Sequence, residues 1–384
     1  MRTAIIVGAG IGGLTAAHAL ERAGWQVNVY EQAPEIGPVG AGIGIAPNAV
    51  KALDHLGLGA DLRERGMRQV GMEVRVRSGR RLAFLPGASI EQRYGAPFYA
   101  LHRAELHDLL AYRLSAVTLH TGHHATHVTA EAGTVTFETS AGPVSATADL
   151  VVVADGVQSD LRAQLFPDYP GPDYAGYTVW RGLVPAVSPP VLSETWGPGA
   201  RFGIAVLDSQ IYWFACENMT EHDKPEHRLD LLAQRFRRWH EPIPQLIAAT
   251  PEETLLRHDV YYLRAPLPAF VVGRVALLGD AAHAVTPDIG QGACLAIEDA
   301  VVLASTLDEH GIDKGLRVYD AVRRPRTQSM ARFSGRLATL LQTSNRVAIG
   351  IRDLITLATP TPLLTRAAGA AFAWAPPVAV SHGG

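Results

Sequence analysis

The stretch TAIIVGAGIGGLTAAHALERAGWQVNVYE, residues 3–31, decides the fold class. Its opening residues TAIIV predict a strand, LTAAHALERAG predicts a helix, and QVNVY predicts a second strand. Between the first strand and the helix lie Gly8, Gly10 and Gly13, in the spacing G-x-G-x-x-G. Strand, helix and strand within roughly thirty residues form a βαβ unit, which indicates an α/β fold built on a parallel sheet.

The three glycines indicate a dinucleotide site. In this motif the first glycine allows a tight turn, the second lets the backbone approach a pyrophosphate, and the third lets helix and strand pack closely. Glu31 ends the second strand, where a carboxylate accepts the hydroxyls of an adenosine ribose. The alternative is a glycine-rich turn that only packs the helix on the strand. These residues alone do not separate NAD from FAD.

The composition bounds the class of protein. A chain of 384 residues with 47% hydrophobic and 18% charged residues is typical of a folded α/β protein with two packed lobes. A net charge of -3 favours neither a nucleic-acid nor a membrane partner. Cys216 and Cys294 are the only cysteines and offer no C-x-x-C pair, so we expect no disulfide framework and a reducing cytoplasm.

The rest of the chain alternates between strand and helix patterns. MEVRVRSGRRLAF, VTLHT and TVTFET predict strands, HRAELHDLLAYRL and PEHRLDLLAQRFRRWH predict helices, and ADLVVVADG predicts a buried parallel strand. YAGYTVWRGLV and FGIAVLDSQIYWFACENM form a second β-rich stretch, and GRVALLGD returns to strand. After residue 293 the pattern is helical up to about residue 373, and APPVAVSHGG predicts a loose tail.

Three further stretches carry a resemblance to a known family. HRAELHDLL, ADLVVVADGVQSDLR and VALLGDAAHAVTPDIGQGACLAIEDA resemble, in this order, the sequence marks of the single-component FAD-dependent aromatic hydroxylases, the para-hydroxybenzoate and salicylate hydroxylase-like flavoprotein monooxygenases. The resemblance covers residues 3–336. The segments YAGYTVWRGLV and GQGACLAIEDAVVL look most similar to salicylate, 6-hydroxynicotinate and urate hydroxylase-like members.

The resemblance implies an α/β fold in which a Rossmann-like FAD-binding domain is interleaved with a β-rich substrate domain and followed by a C-terminal helical region. The FAD-binding domain comprises residues 1–70, 100–172 and 270–335. Residues 71–99 and 173–269 form the substrate domain, and residues 336–384 form the C-terminal helix and tail.

The resemblance also implies how FAD is held. Arg103 contacts the cofactor near its pyrophosphate, Asp155 lies in a motif linked to FAD and to the pyridine nucleotide, and Asp280 accepts hydrogen bonds from ribityl hydroxyls. Pro287 lies beside the isoalloxazine, and the backbone N–H groups of residues 290–293 point at its pyrimidine edge, where a helix N-terminus stabilises negative charge. The full set of implied cofactor-binding residues is Gly8, Gly10, Gly12, Gly13, Glu31, Gln32, Gly42, Arg103, Val128, Asp155, Asp280, Gly290, Gly292 and Ala293.

One position departs from the family pattern. Many relatives carry asparagine where this chain has Cys294, which we interpret as a packing residue rather than a nucleophile. His283, in GDAAH, is expected to have a structural role near the flavin and is not interpreted as a general base.

The implied reaction is the hydroxylation of an aromatic or heteroaromatic small molecule. In the family, NADH or NADPH reduces FAD, O₂ forms a flavin C4a-hydroperoxide, and its distal oxygen is transferred to the ring. No second G-x-G-x-x-G follows a strand, which fits transient binding of the cosubstrate NAD(P)H. Two alternatives stay open: epoxidation or Baeyer–Villiger oxygenation by the same intermediate, and a flavin-binding redox sensor without turnover. We expect a monomer or homodimer.

Substrate contacts are expected from the β-rich segment. Arg181, Arg201, Tyr212 and Trp213 lie in its predicted strands, and Arg201 with Tyr212 is the preferred pair for holding and polarising the ring. Together with Pro287 this pair forms the predicted catalytic set. The alternative is that the aromatic residues only pack the sheet and the arginines are solvated.

A histidine-rich stretch raises the question of a metal. HTGHHATH, residues 120–127, would place His120, His124 and His127 on one face only if it were helical. Its flanks favour strand or turn, and no cysteine or carboxylate completes a ligand set, so no metal site is predicted.

Overall fold

The structure, a computed structural model, describes residues 1–36, 40–185, 191–223 and 225–377. Its strands are β1 Thr3–Val7, β2 Gln26–Tyr30, β3 Gly42–Ile45, β4 Met67–Arg68, β5 Gly71–Val76, β6 Arg81–Pro86, β7 Tyr99–His102, β8 Thr118–His120, β9 His124–Thr129, β10 Thr134–Glu138, β11 Val144–Thr147, β12 Leu150–Val153, β13 Asp173–Pro185, β14 Val191–Gly197, β15 Ala200–Val206, β16 Gln210–Asn218, β17 Leu256–Tyr262, β18 Val271–Val272 and β19 Val275–Leu277.

The helices are α1 Ile11–Arg22, α2 Pro47–His55, α3 Gly59–Arg65, α4 Gly87–Tyr94, α5 Arg103–Tyr112, α6 Asp160–Leu165, α7 Arg228–Phe236, α8 Ile243–Ala248, α9 Asp280–His283, α10 Gly292–His310, α11 Ile312–Leu341, α12 Arg346–Ala358, α13 Thr361–Ala367 and α14 Gly369–Phe372, with 3₁₀ turns at Glu252–Thr254 and Pro287–Ile289. The predicted helical region after residue 293 is confirmed. The predicted loose tail begins within the described residues, but residues 378–384 lie outside them.

A six-stranded sheet in the order β18-β19-β12-β1-β2-β8 forms the first layer. β1 runs parallel to both β2 and β12, so the predicted βαβ unit is present. All four residues of β12 are buried, as the continuous apolar run in the sequence indicates. Helices α1 and α10 pack together beside this sheet. The mixed α/β class is confirmed.

A seven-stranded sheet in the order β17-β13-β16-β15-β14-β5-β6 forms the second layer. Strands from residues 71–86 therefore join strands from residues 173–262, although more than eighty residues separate the two groups along the chain. One face packs on α7 and α8 in a separate core that contains Phe202 and Trp213. The opposite face contacts β3 and β7 through a smaller cluster that contains Ala41, Ala100 and Tyr212.

The histidine-rich stretch forms β8, a turn and the start of β9, as its flanks predicted. His120 stacks on Tyr30 with 4.4 Å between ring centroids, and His123 packs edge-on against the same tyrosine. Within the described ranges, no three histidine, cysteine or acidic side chains are grouped so that they could hold a metal ion.

None of the described helices is by itself both long and apolar enough to cross a membrane. The bent pair Arg346–Ala358 and Thr361–Ala367 meets the test of length and composition only when the two helices are taken together, and they meet at 110°.

Candidate active site

The glycine turn between β1 and α1 has different surroundings at each glycine. Gly8 has φ +100°, and a Cβ there would lie 2.4 Å from the carbonyl oxygen of Ala154. A Cβ on Gly13 would lie 1.9 Å from the carbonyl oxygen of Gly8. Gly10, in contrast, faces open space, and no side chain caps the helix that begins after it. The turn therefore packs tightly on the sheet and leaves a bare helix N-terminus that can bind phosphate.

Glu31 follows β2 and lies at this turn. Its carboxylate accepts hydrogen bonds from the backbone N–H groups of Ala9 at 2.7 Å and Ala33 at 2.9 Å. The exposed Gln32 lies within 3.1 Å of a ring nitrogen of His124, which places β9 beside it. Val128, in β9, is buried and donates its backbone N–H to Gln164 at 3.3 Å. The remaining motif glycine, Gly12, packs its backbone against Leu278 and Ala296.

Arg103 and Asp280 come from distant parts of the chain and carry opposite charges into one cleft. The stem of Arg103, at the start of α5, covers Gly40, where a Cβ would lie 2.8 Å from Cδ. Its guanidinium has no ion pair or hydrogen bond among the described residues. Solvent reaches both residues, but protein atoms surround their charged groups on most sides. This desolvation lowers the pKa of Arg103 and raises the pKa of Asp280. An accessible carboxylate that is crowded by protein indicates an internal cleft.

The loop before α10 forms the next wall of this cleft. Pro287 begins a 3₁₀ turn that ends at Gly290, where φ is +60°. A Cβ on Gly290 would meet nothing within 4 Å, and one on Gly292 would lie 3.8 Å from Oδ1 of Asp280. No side chain caps α10, so the N–H groups of its first turn, which includes Ala293, lie beside the cleft without a capping partner.

Cys294 packs behind this loop. Its side chain is fully buried, and its sulfur lies 3.7 Å from the carbonyl oxygen of Gly44 and 3.8 Å from that of Gly290. Burial raises the pKa of this thiol to about 12. A neutral, enclosed thiol agrees with its interpretation as a packing residue.

Several buried polar atoms in this region have no hydrogen-bond partner within the described part of the chain. Two of them border the cleft: Oδ1 of Asp155, at the end of β12, and Nε2 of Gln291 in the loop. Burial raises the pKa of the Asp155 carboxyl. Buried polar groups without partners are costly, so an additional polar group in the cleft would stabilise both. With the open space at Gly10, these atoms show that the residues fit a bound dinucleotide.

A buried ionic network, which no sequence pattern predicted, holds the two ends of the loop. Asp299 in α10 accepts hydrogen bonds from the Gly279 N–H at 3.0 Å, from His283 at 2.5 Å and from Arg323 at 2.6 Å. Glu298 contacts Arg323 at 2.6 Å and Arg326 at 2.7 Å. Two adjacent acids inside the apolar helix LAIEDAVV were the available signal, but their arginine partners lie on α11 and are not adjacent in the sequence.

The face of the seven-stranded sheet that carries Tyr212 covers the cleft. We call it the Tyr212 face; Arg181, Leu183 and Phe214 belong to it because cross-strand partners in the register point the same way. A Cβ on Gly42 would lie 2.4 Å from the Tyr212 ring, so this tyrosine reaches the first layer. Burial raises the pKa of Tyr212 to about 12. The charge of Arg181 acts on both Tyr212 and Arg103.

Arg201 lies on the same face but is fully engaged. It forms ion pairs with Asp288 at 2.6 Å and Glu194 at 3.0 Å, and it donates a hydrogen bond to Gln342 at 2.9 Å. Tyr177 donates to Asp288 at 2.8 Å. Arg201 is 1% exposed, so it joins the sheet to the loop before α10 through Asp288 and presents no free donor pair of its own to the cleft.

Trp213, which the sequence placed among the substrate residues, does not face the cleft. Successive residues of a strand point to opposite faces, so Trp213 points away from Tyr212. It is fully buried in the separate core, stacked on Phe202, and its Nε1 donates to Thr250 at 2.9 Å. Of the two readings of this aromatic residue, sheet packing is the correct one.

These features together define a class: a dinucleotide-binding α/β protein whose cofactor cleft is covered by a second sheet. Residues 1–334 match the family model described as FAD binding domain. The chain belongs to this FAD-binding family.

The chain is similar to several characterised proteins over most of its length. It is 39% identical to an Aurachin C monooxygenase/isomerase of Stigmatella aurantiaca, covering 91% of this chain and 92% of that protein. It is 36% identical to an FAD-dependent urate hydroxylase of Klebsiella pneumoniae, and the match covers 85% of this chain and 87% of that protein. The structure of Klebsiella pneumoniae HpxO complexed with FAD and uric acid superposes with a TM-score of 0.89 at 30% identity. The superposition covers 97% of this chain and 96% of that one.

The family and its similar members establish the general activity of this chain. It is an FAD-dependent flavoprotein monooxygenase of the aromatic hydroxylase type, with NAD(P)H as cosubstrate. The resemblance deduced from the sequence is thereby confirmed, as is the FAD cofactor.

Proposed function

We propose that this monooxygenase hydroxylates a small aromatic or heteroaromatic ring that carries an anionic or readily ionised group. The observation that carries the proposal is the position of Arg181. It lies on the Tyr212 face with no ion pair or hydrogen bond among the described residues. Its neighbours Arg103 and Tyr212 offer no negative charge that could pair with it. A cation left without a partner over a cofactor cleft fits an anionic ligand.

The field at this part of the cleft is positive. The pKa of His258, on the neighbouring strand β17, is lowered by burial and then by the charges of Arg181 and Arg103. His258 is exposed by area, so these charges act at an accessible surface rather than in the core. A phenolate, a carboxylate or the anion of a nitrogen ring would be stabilised there.

The protein's own contributions can be separated from those of the cofactor. Bound FAD supplies electron transfer from NAD(P)H and the activation of O₂. Gly10 and Arg103 are placed to hold its phosphates, Asp280 its ribityl hydroxyls, and the first turn of α10 the flavin ring. The apolar side chains of Leu183 and Phe214 on the Tyr212 face exclude water from the reacting atoms.

Tyr212 is placed to donate a hydrogen bond to the substrate. With its pKa raised to about 12, the phenol stays protonated at neutral pH and acts as a donor. Donation to an oxygen or nitrogen of the ring would orient the ring over the flavin. Arg201 acts in this proposal as a positioning residue through Asp288, and Pro287 as a wall beside the flavin.

We propose that the FAD-binding domain comprises residues 1–70, 100–172 and 270–335, the substrate domain residues 71–99 and 173–269, and the C-terminal helix and tail residues 336–384. Membership of the seven-stranded sheet supports joining residues 71–99 to 173–269, since β5 and β6 pair within it. Two buried free cysteines support a reducing compartment, the cytoplasm, and the chain is proposed to act as a monomer or homodimer.

The experiment uses purified holoenzyme with NADH or NADPH and a panel of phenols, aromatic acids and purine-like rings. Stimulated NAD(P)H oxidation, with one ¹⁸O atom from ¹⁸O₂ in the product, is the expected result. The position of oxygen in the product separates hydroxylation from epoxidation, Baeyer–Villiger reaction or a later isomerisation, which the name of the Stigmatella relative makes relevant. Bound FAD with no response to any ring would instead support a redox sensor.

The charge requirement is tested with Arg181→Gln. We expect KM for an anionic ring to rise at least about tenfold, equal to about 1.4 kcal/mol, while KM for its neutral analogue changes little. Arg81→Gln, on the edge strand of the same sheet, is the matched control and should leave both KM values unchanged. Equal losses for charged and neutral rings would refute the proposed charge recognition.

A further inference from the structure

Helix α12 turns its apolar face towards solvent and an arginine towards the protein. Val347, Ile351, Leu354 and Ile355 recur at the spacing of one helix face, yet they are 71%, 55%, 65% and 60% exposed. We call these four residues the apolar stripe. A helix on a protein surface normally turns such a stripe towards the core. An exposed contiguous apolar surface marks an interaction site.

The opposite side of α12 explains why the stripe cannot turn inward. Arg352 is 4% exposed, donates to Asp353 at 2.8 Å and to the carbonyl oxygen of Leu341 at 3.3 Å, and stacks over Trp196 at 5.0 Å. Rotating the helix to bury the stripe would expose this packing and break these bonds. The orientation is therefore built into the fold.

The exposed side chains of the C-terminal helices, residues 332–372, are largely apolar or basic. Phe333, Leu340 and Leu363 on the adjacent helices α11 and α13 are also exposed. The exposed basic residues in this region are Arg332, Arg336, Arg346 and Arg366, and none of them forms an ion pair within the described ranges. The only acid between residues 332 and 377 is Asp353, which is already paired with Arg352. The C-terminal helices thus carry unpaired positive charge and exposed apolar side chains within one short segment of the chain.

Exposed apolar side chains together with unpaired arginines favour one kind of binding partner for the apolar stripe over another. A second copy of the chain packed stripe against stripe would bring the same unpaired arginines towards each other, because a two-fold interface repeats one surface on both sides. Like charges would oppose that contact. An anionic lipid surface satisfies both features, since acyl chains accept the stripe and headgroups accept the arginines.

We propose that α12 is an interfacial helix that places this enzyme on an anionic lipid surface, with the apolar stripe inserted and the neighbouring arginines at the headgroups. The helix lies on the membrane and does not cross it. This inference is independent of the substrate proposal, and it departs from the expectation drawn from the net charge of the whole chain.

Vesicle sedimentation with the FAD-loaded enzyme tests the proposal. We expect binding to phosphatidylcholine vesicles that contain phosphatidylglycerol, much weaker binding to pure phosphatidylcholine, and release by salt. Ile351→Glu with Leu354→Glu should lower the partition coefficient at least about tenfold. Val70→Glu with Val144→Glu, two exposed valines elsewhere on the molecule, is the matched control and should bind like the wild type.

Folding and self-association are measured on the same samples. FAD content and NAD(P)H oxidation in the absence of vesicles should be equal in all variants, and Arg346→Gln with Arg366→Gln should weaken vesicle binding without altering the stripe. Failure of the wild type to bind anionic vesicles would overturn the proposal. So would a dimer that the Ile351 and Leu354 substitutions convert to a monomer, since the stripe would then join two copies.

Discussion

At the scale of single residues, the site depends on charges placed where water cannot reach them. Asp299 is fully buried and connects the Gly279 backbone, His283 and Arg323. Burial alone would raise the pKa of its carboxyl, but the charges of His283 and Arg323 and their hydrogen bonds outweigh burial and hold the pKa at about 2. The carboxylate is therefore ionised at neutral pH and fixes the backbone that precedes Asp280.

This pKa shift predicts a pH dependence of stability. A carboxyl with a pKa of about 2, below its ordinary 3.8, stabilises the folded state above pH 4, and this contribution is lost as the pH falls from about 4 towards about 2. It corresponds to about 2–3 kcal/mol. Asp299→Asn should lower the free energy of unfolding at pH 7 by about 3 kcal/mol, because Arg323 loses a buried partner.

Urea unfolding between pH 7 and pH 3 measures the effect. The difference between wild type and Asp299→Asn should shrink as the pH falls, while Asp308→Asn, at a half-exposed acid 3.7 Å from Arg2, should stay within about 0.5 kcal/mol of wild type. A difference that is constant with pH would show that Asp299 is not ionised in the folded protein.

At the scale of elements, the turn from β1 to α1 separates packing from binding. Gly8 and Gly13 are in contact with backbone that a side chain would displace, whereas Gly10 borders open space at a helix N-terminus. We therefore expect folding to require Gly8 and Gly13, and cofactor binding alone to require Gly10.

Alanine at each of two glycines distinguishes these roles. Gly10 has φ −71°, which alanine adopts freely, so Gly10→Ala should leave the apoprotein as stable as wild type but weaken FAD binding at least about tenfold, because the methyl group occupies the phosphate position. Gly13→Ala should destabilise the apoprotein by more than about 3 kcal/mol. Thermal unfolding of apoprotein and fluorescence titration of FAD measure both. A Gly10→Ala apoprotein as unstable as Gly13→Ala would contradict this separation.

At the scale of the whole molecule, the cofactor cleft is assembled from segments far apart in the chain. The glycine turn, Arg103, Asp280 and the Tyr212 face come from residues 8–31, 103, 280 and 181–214. Each segment belongs to a different element, so a ligand that bridges them links the stability of the two layers.

Removing FAD should therefore destabilise the entire fold. At a free FAD concentration one hundred times Kd, the cofactor adds about 2.7 kcal/mol to the free energy of unfolding. ADP, which would fill only the part of the cleft near Glu31 and Gly10, should protect less than FAD at the same free concentration, and Arg103→Ala should reduce the protection by FAD. Thermal unfolding during titration with each ligand gives the comparison. Equal protection by ADP and FAD would mean that Asp280 and the α10 loop bind no part of the cofactor.

Much of the fold followed from local patterns. The βαβ unit at residues 3–31, the buried strand at residues 150–153 and the helical C-terminal region were predictable because apolar periodicity and glycine spacing are encoded within each segment. Family marks at Arg103, Asp155 and Asp280 also predicted a cofactor site at these residues, since they stand in short recognisable motifs.

Sequence patterns were sufficient for the class of fold and the FAD family, and they predict the segments that meet the cofactor. Only the tertiary structure decided which strand residues face the cleft: Tyr212 and Arg181 do, Trp213 does not, and Arg201 is occupied by Asp288. It also revealed the partners of Glu298 and Asp299 and the outward apolar stripe of α12. The physical reason is that strand facing, buried ion pairs and exposure depend on contacts between elements distant in the chain, which no local pattern encodes.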